Sequence, residues 1–127
     1  MKILLDTHAL LWAVSGVGLS ENARLAFVDV ENALYFSAAS YWEICIKIGI
    51  GKLKLPQGWE DTLDEFFQIN DIRWLPIEKE HARTILTLPM IHRDPFDRLL
   101  VAQASWENMS IMTKDANLAR YDVPIIW

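Results

Sequence analysis

Short apolar runs alternate along this chain with longer segments whose apolar residues recur at helical spacing. Ile3 to Leu5 is an apolar run closed by Asp6, which predicts a strand, and the Leu/Ala/Trp-rich stretch Ala9 to Val14 favours a buried helix over a second strand. Gly16 and Gly18 interrupt the pattern, and Ser20 followed by Glu21 and Asn22 predicts the cap and first turn of a helix running to Asn32. Ala33 to Ser37 (ALYFS) is the second strand. Ser40 to Ile48 is a helix with Ile44 and Ile48 on one face, stopped by Gly49 and Gly51 and followed by a basic, hairpin-like link from Lys52 to Pro56. Trp59 to Ile69 sets Trp59, Leu63, Phe66 and Phe67 against Glu60, Asp61, Asp64 and Glu65, the pattern of an amphipathic surface helix. Arg73 to Ile77 predicts a strand, Glu78 to Leu88 a helix ended by Pro89, and Pro95 to Glu107 a strongly apolar helix. Ile111 to Thr113 and Val123 to Ile126 complete the strands. Strands alternating with helices imply an α/β domain with a mainly parallel central sheet, covered by helices on both faces and spanning residues 1–127.

Composition narrows the class. With 52% hydrophobic residues in 127, the chain is too apolar for disorder and long enough for one core without staples. Cys45 is the only cysteine, which excludes an intramolecular disulfide and a multi-cysteine zinc site. The opening MKILLDTHALLWAV lacks the unbroken apolar core of a signal peptide, and no run reaches the roughly 18 apolar residues of a membrane helix. The expectation is a cytoplasmic protein with no membrane contact. A net charge of −5 supplies no global field towards nucleic acid or an anionic membrane, so the placement of the acids matters more than their sum.

In a parallel sheet the carboxyl ends of the strands and the N-termini of the following helices share one edge, where ligands bind. Asp6 ends the first strand, Glu43 lies in the first turn after the second, Asp97 opens the apolar helix and Asp115 follows the IMT strand. Each also has a local reading. Ser40 and Glu43 fit a capping box, Asp94 is an N-cap before Pro95 at the first helical position, Asp97 suits the positive end of the helix, and Asp115 could cap a short helix through Arg120. Separate capping roles do not account for the convergence of Asp6, Glu43, Asp97 and Asp115, and no Arg or Lys accompanies all of these motifs at matching positions. Like charges brought together raise one another's pKa or recruit a cation. Oxygen-only donors favour Mg²⁺ or Mn²⁺ over zinc.

LLDTHALLWAV, SAASYWEI, HRDPFDRLLVAQA and IMTKDANLARY, in this order and at these separations, resemble the PIN-domain ribonucleases, specifically the VapC-type toxins of bacterial toxin–antitoxin pairs. The resemblance covers essentially the whole chain, and HRDPFDRLLVAQA is its most specific part. It implies metal-dependent endonucleolytic cleavage of RNA by one or two Mg²⁺ or Mn²⁺ ions on Asp6, Glu43, Asp97 and Asp115, with Glu43 acting on the metal or on a metal-bound water. It also implies that Thr113 orients a ligand or water and that Asp94 is an accessory acid. The implied partners are a homodimer mate and a cognate VapB-type antitoxin, whose C-terminal segment covers the groove and pushes an Arg into the carboxylates.

Lys47, Lys52 and Lys54 lie beyond Glu43, and Arg93, Arg98, Lys114 and Arg120 flank Asp97 and Asp115, where phosphate contacts are useful. As single charges they also fit a solvated surface, and Lys47 could pair with Glu43 one turn away. Trp12, Trp42, Trp74 and Trp106 read as core, although Trp12 and Trp42 lie close enough to the acidic motifs to line a groove. Cys45 reads as a small buried hydrophobe, and of His8, His81 and His92 only His8 lies near the acids. Gly49-Ile50-Gly51-Lys52 is not a phosphate loop, since Ile46 and Leu53 stand where Gly and Ser/Thr belong. Two alternatives remain. A phosphotransfer or phosphohydrolase scaffold would want an acidic pair after the first strand, and a catalytically silent PIN module that binds RNA or protein would not need Mg²⁺.

Overall fold

The computed structural model describes all residues from Met1 to Trp127. In chain order the elements are β1 (Lys2–Leu5), α1 (Thr7–Ser15), α2 (Glu21–Val28), β2 (Ala33–Ser37), α3 (Ala38–Gly49), α4 (Trp59–Ile69), β3 (Ile72–Leu75), α5 (Lys79–Thr84), α6 (Pro95–Glu107), β4 (Ser110–Met112) and β5 (Ile125–Ile126). The strands form one sheet in the order β3-β2-β1-β4-β5, and every pairing is parallel. Leu4 of β1 sits beside Tyr35 on one side and Ile111 on the other, so the first strand is the middle of the sheet.

Burial on both faces explains why β1 reads as an unbroken apolar run rather than an alternating one. Ile3 and Leu5 join Ala9 and Leu10 of α1, Ala23 of α2, Ile44 of α3 and Leu63 of α4 in one core layer. Leu4 points the other way, into a second layer with Leu100, Val101 and Ala104 of α6 and Ile111, Leu118 and Tyr121. Helices therefore cover both faces, as the pattern predicts.

Boundaries move where side chains compete for the backbone. α1 begins at Thr7 because Asp6 caps it, and α2 ends at Val28 because the Asp29 carboxylate accepts from the Glu31 amide at 2.9 Å. α5 is only six residues long and passes into a 3₁₀ turn, Ile85–Thr87, before Pro89. Lys52 to Pro56 forms no hairpin; the Lys52 and Leu53 amides fold back onto the Lys47 carbonyl at 2.8 and 3.1 Å. Cys45 is exposed rather than buried, and Trp42, Trp74 and Trp106 are more than half exposed. Helical spacing marks a face without saying whether anything covers it.

Candidate active site

β1 and β4 are neighbours, yet the chain leaves β1 towards β2 and returns to β4 only after β3. The connections thus diverge between these two strands, and a crevice opens beyond their carboxyl ends. Asp6 follows β1 directly. Its amide donates to the Met112 carbonyl of β4 at 3.1 Å, and its carboxylate caps α1 by accepting from the Ala9 amide at 2.7 Å. Burial pushes the Asp6 carboxyl above the usual range, while the Thr113 hydroxyl and the Ala9 amide pull it back. Thr113 also accepts from the Asp115 amide at 3.0 Å, so one buried hydroxyl ties the acid after β1 to the acid after β4. Asp115 is exposed, and its carboxylate accepts from the Asn117 amide at 2.8 Å, turning the chain towards the short 3₁₀ turn Leu118–Arg120.

Glu43 reaches the crevice from α3. The capping box expected of Ser40 and Glu43 does not form, because the helix starts earlier: Ser37 is the N-cap, its hydroxyl accepting from the Ala39 amide at 3.0 Å. Glu43 is instead held by Thr7, whose hydroxyl donates at 2.6 Å, and by Lys47 at 3.1 Å one turn along. Asp94 is the N-cap of α6, accepting from the Phe96 and Asp97 amides at 2.9 and 3.1 Å. With the helix capped by Asp94, Asp97 is released to the crevice. Burial, reinforced by Asp94 and Asp115, pushes the Asp97 carboxyl up to about 6 against the opposing hydrogen bond from His92.

Asp6, Glu43, Asp97 and Asp115 line one pocket of about 350 Å³ together with His8, Trp12, Lys47 and Lys114. Asp6 and Asp115 have no basic side chain within ion-pair distance; Glu43 has Lys47, and Asp97 has only His92. As the side chains lie, no three acidic, imidazole or thiol groups stand close enough to share an ion. The donor set nevertheless fits a hard divalent cation in kind: all oxygen, crowded, and without a counter-ion for two of its members. Bringing three acids onto one ion takes side-chain rotation.

The other expected residues separate. Thr113 stands behind the acids, Asp94 is spent on its helix, Lys47 and Lys114 are in the pocket wall, and Arg93 is exposed just before α6. Arg98 is not a surface cation: it is buried, donating to the Pro89 carbonyl at 2.9 Å and the Tyr121 hydroxyl at 3.0 Å. His92, whose place in the sequence does not set it near the acids, lies 3.2 Å from Asp97. Its signal was the position directly before Arg93-Asp94-Pro95, where the chain must fold back over the start of α6.

Residues 3–124 match the PIN domain family. No curated protein matches the sequence. Among solved structures, the chain is similar to VapBC2 from Rickettsia felis bound to a DNA fragment from its promoter, with 17% identity, TM-score 0.76, and 98% of this chain and 97% of that one covered. FitAcB from Neisseria gonorrhoeae aligns with 21% identity, TM-score 0.65, and 97% and 95% coverage. A toxin–antitoxin complex from Klebsiella pneumoniae gives 16% identity, TM-score 0.63, and 98% and 96% coverage. At these identities the likeness is one of fold.

Proposed function

The chain belongs to the PIN-domain family, and from that premise we propose that it is a divalent-metal-dependent endoribonuclease acting as the toxin of a toxin–antitoxin pair. One observation carries the proposal: Asp6, Glu43, Asp97 and Asp115, from four separate parts of the chain, line a single pocket at the carboxyl edge of the sheet. Mg²⁺ or Mn²⁺, one or two ions held by Asp6, Asp97 and Asp115 with Glu43, would polarise a phosphate oxygen and make water a nucleophile at neutral pH.

The protein's own contribution is placement. Asp6 is fixed at the start of α1 and tied through Thr113 to Asp115. Glu43, gripped by Thr7 and Lys47, is the acid best placed to exchange a protein contact for a water. Lys47 and Lys114 supply positive charge on the pocket wall for flanking phosphates, with Arg93 further out. An antitoxin partner is supported by the fold's recurrence in toxin–antitoxin complexes, and a homodimer belongs to the same reading. No helix is long and apolar enough to cross a membrane.

The test is cleavage of a total-RNA pool by the antitoxin-free protein with Mg²⁺ or Mn²⁺, with EDTA, and with Asp97→Asn in parallel. Discrete fragments that need metal and vanish in the variant are the expected result. Folded wild type that leaves RNA intact would shift the reading to a silent module that binds RNA or protein, and equal cleavage by the variant would point to a contaminating nuclease.

A further inference from the structure

Four side chains form a continuous hydrogen-bonded line from the interior to the pocket. Arg98 is 8% exposed and Tyr121 5%. The Arg98 guanidinium donates to the Tyr121 oxygen at 3.0 Å, that oxygen lies 2.8 Å from His92 Nδ1, and His92 Nε2 lies 3.2 Å from Asp97 Oδ2. A second Arg98 bond, to the Pro89 carbonyl at 2.9 Å, ties down the segment that carries His92.

The direction of each link follows from the first. A guanidinium has donors and no acceptor, so the Tyr121 oxygen accepts from Arg98; His92 Nδ1 is the only acceptor within reach of the buried Tyr121 O–H, which therefore donates to it. A neutral imidazole whose Nδ1 accepts carries its proton on Nε2, which then donates to Asp97 Oδ2. Asp97 Oδ1 is left without a hydrogen bond. We propose that His92 is a positioning residue for Asp97: held as the Nε2–H tautomer by Tyr121 and Arg98, it fixes one carboxylate oxygen and presents the other to the pocket. The HRDPFDR motif thereby divides its labour, with Asp94 capping the helix, Asp97 facing the pocket, and His92 and Arg98 holding Asp97 from behind. This inference rests on the metal-dependent reading of the pocket, and a hydrogen bond of this kind to a ligating carboxylate typically changes metal affinity about 10- to 100-fold.

The test uses the full chain without RNA. Imidazole ¹⁵N spectra of the metal-free wild type should show His92 protonated on Nε2 and bare on Nδ1. Mn²⁺ titration followed by calorimetry or by loss of the free-ion EPR signal should show His92→Ala weakened by roughly 10-fold or more. His92→Gln, whose amide can still donate to Asp97, should recover most of the affinity. A wild-type Nδ1–H tautomer, an alanine variant that binds Mn²⁺ as tightly as wild type, or a glutamine variant as weak as alanine overturns the proposal. If His92→Ala does not fold, the wild-type spectrum and the glutamine variant decide. Wild type that binds no Mn²⁺ at all sinks the metal reading itself and this inference with it, whereas wild-type binding with indifferent variants sinks this inference alone.

Discussion

Replacing Asp97 by asparagine separates an acid that faces a site from an acid that supports a fold. Burial and two neighbouring acids raise this carboxyl from near 4, the ordinary value, to about 6. The folded chain therefore holds the proton more tightly than the unfolded chain does. The fold carries no penalty from Asp97 below about pH 4, loses stability as pH rises, and bears the full cost above about 6. A rise of that size corresponds to roughly 3 kcal/mol at face value, but the side chain is still 20% exposed and water screens it, which leaves about 1 kcal/mol. In EDTA near pH 8, Asp97→Asn should thus be the more stable protein by about 1 kcal/mol, or about 3 to 4 °C in Tm for a domain of this size. The asparagine oxygen can keep accepting from His92, so no hydrogen bond need be lost. Urea melts at several pH values check this: the advantage should close below about pH 4, and saturating Mg²⁺ should reverse the order by stabilising wild type alone. A variant that is less stable than wild type near pH 8, or an advantage independent of pH, would refute the reasoning and return Asp97 to a structural role.

Other variants probe other links. Gly18 has φ +114°, and a Cβ there would lie 2.5 Å from Trp12 Cγ, so Gly18→Ala should cost about 1 to 3 kcal/mol in a denaturant melt and displace the indole that lines the pocket. Arg98→Met, similar in length but without donors, should cost about 2 to 4 kcal/mol while leaving the salt dependence of RNA binding unchanged; Lys114→Ala should do the reverse, with little effect on stability and a shallower salt slope. The Ser40 hydroxyl is buried with no partner, so Ser40→Ala should hold or raise the melting midpoint, by up to about 1 kcal/mol.

The sequence pattern carried the order and type of nearly every element, because β1 and β2 are short apolar runs and α4 and α6 have strong helical spacing. It also carried the convergence of Asp6, Glu43, Asp97 and Asp115, since a parallel sheet leaves the ends of its strands nowhere else to go. What it missed depended on contacts between distant segments. Asp6 reads as a lone charge after a strand, although a helix beginning at once at Thr7 makes it a cap as well. Ser40 and Glu43 have the spacing of a capping box, but Ser37 occupies the cap and Thr7, 36 residues away from Glu43, claims that carboxylate. Arg98 looks like a surface cation until Tyr121, 23 residues on, accepts from it. The same fold-back brings His92 to Asp97, which no spacing rule for metal-binding histidines would pick out.

The middle position of β1 has a consequence for a chain leaving the ribosome. β1 must wait for β4, more than a hundred residues later, before its second edge is paired. Until then Asp6 lacks the Met112 carbonyl that anchors its amide and the Thr113 hydroxyl that joins it to Asp115. Asp97 likewise lacks the Tyr121 end of its support. A chain whose synthesis has not passed β4 therefore carries Asp6 and Glu43 without the pocket they share, and the pocket forms only once Met112, Thr113 and Asp115 have followed. The strand order thus sets the completion of the pocket behind the synthesis of β4, however early Asp6 and Glu43 are made.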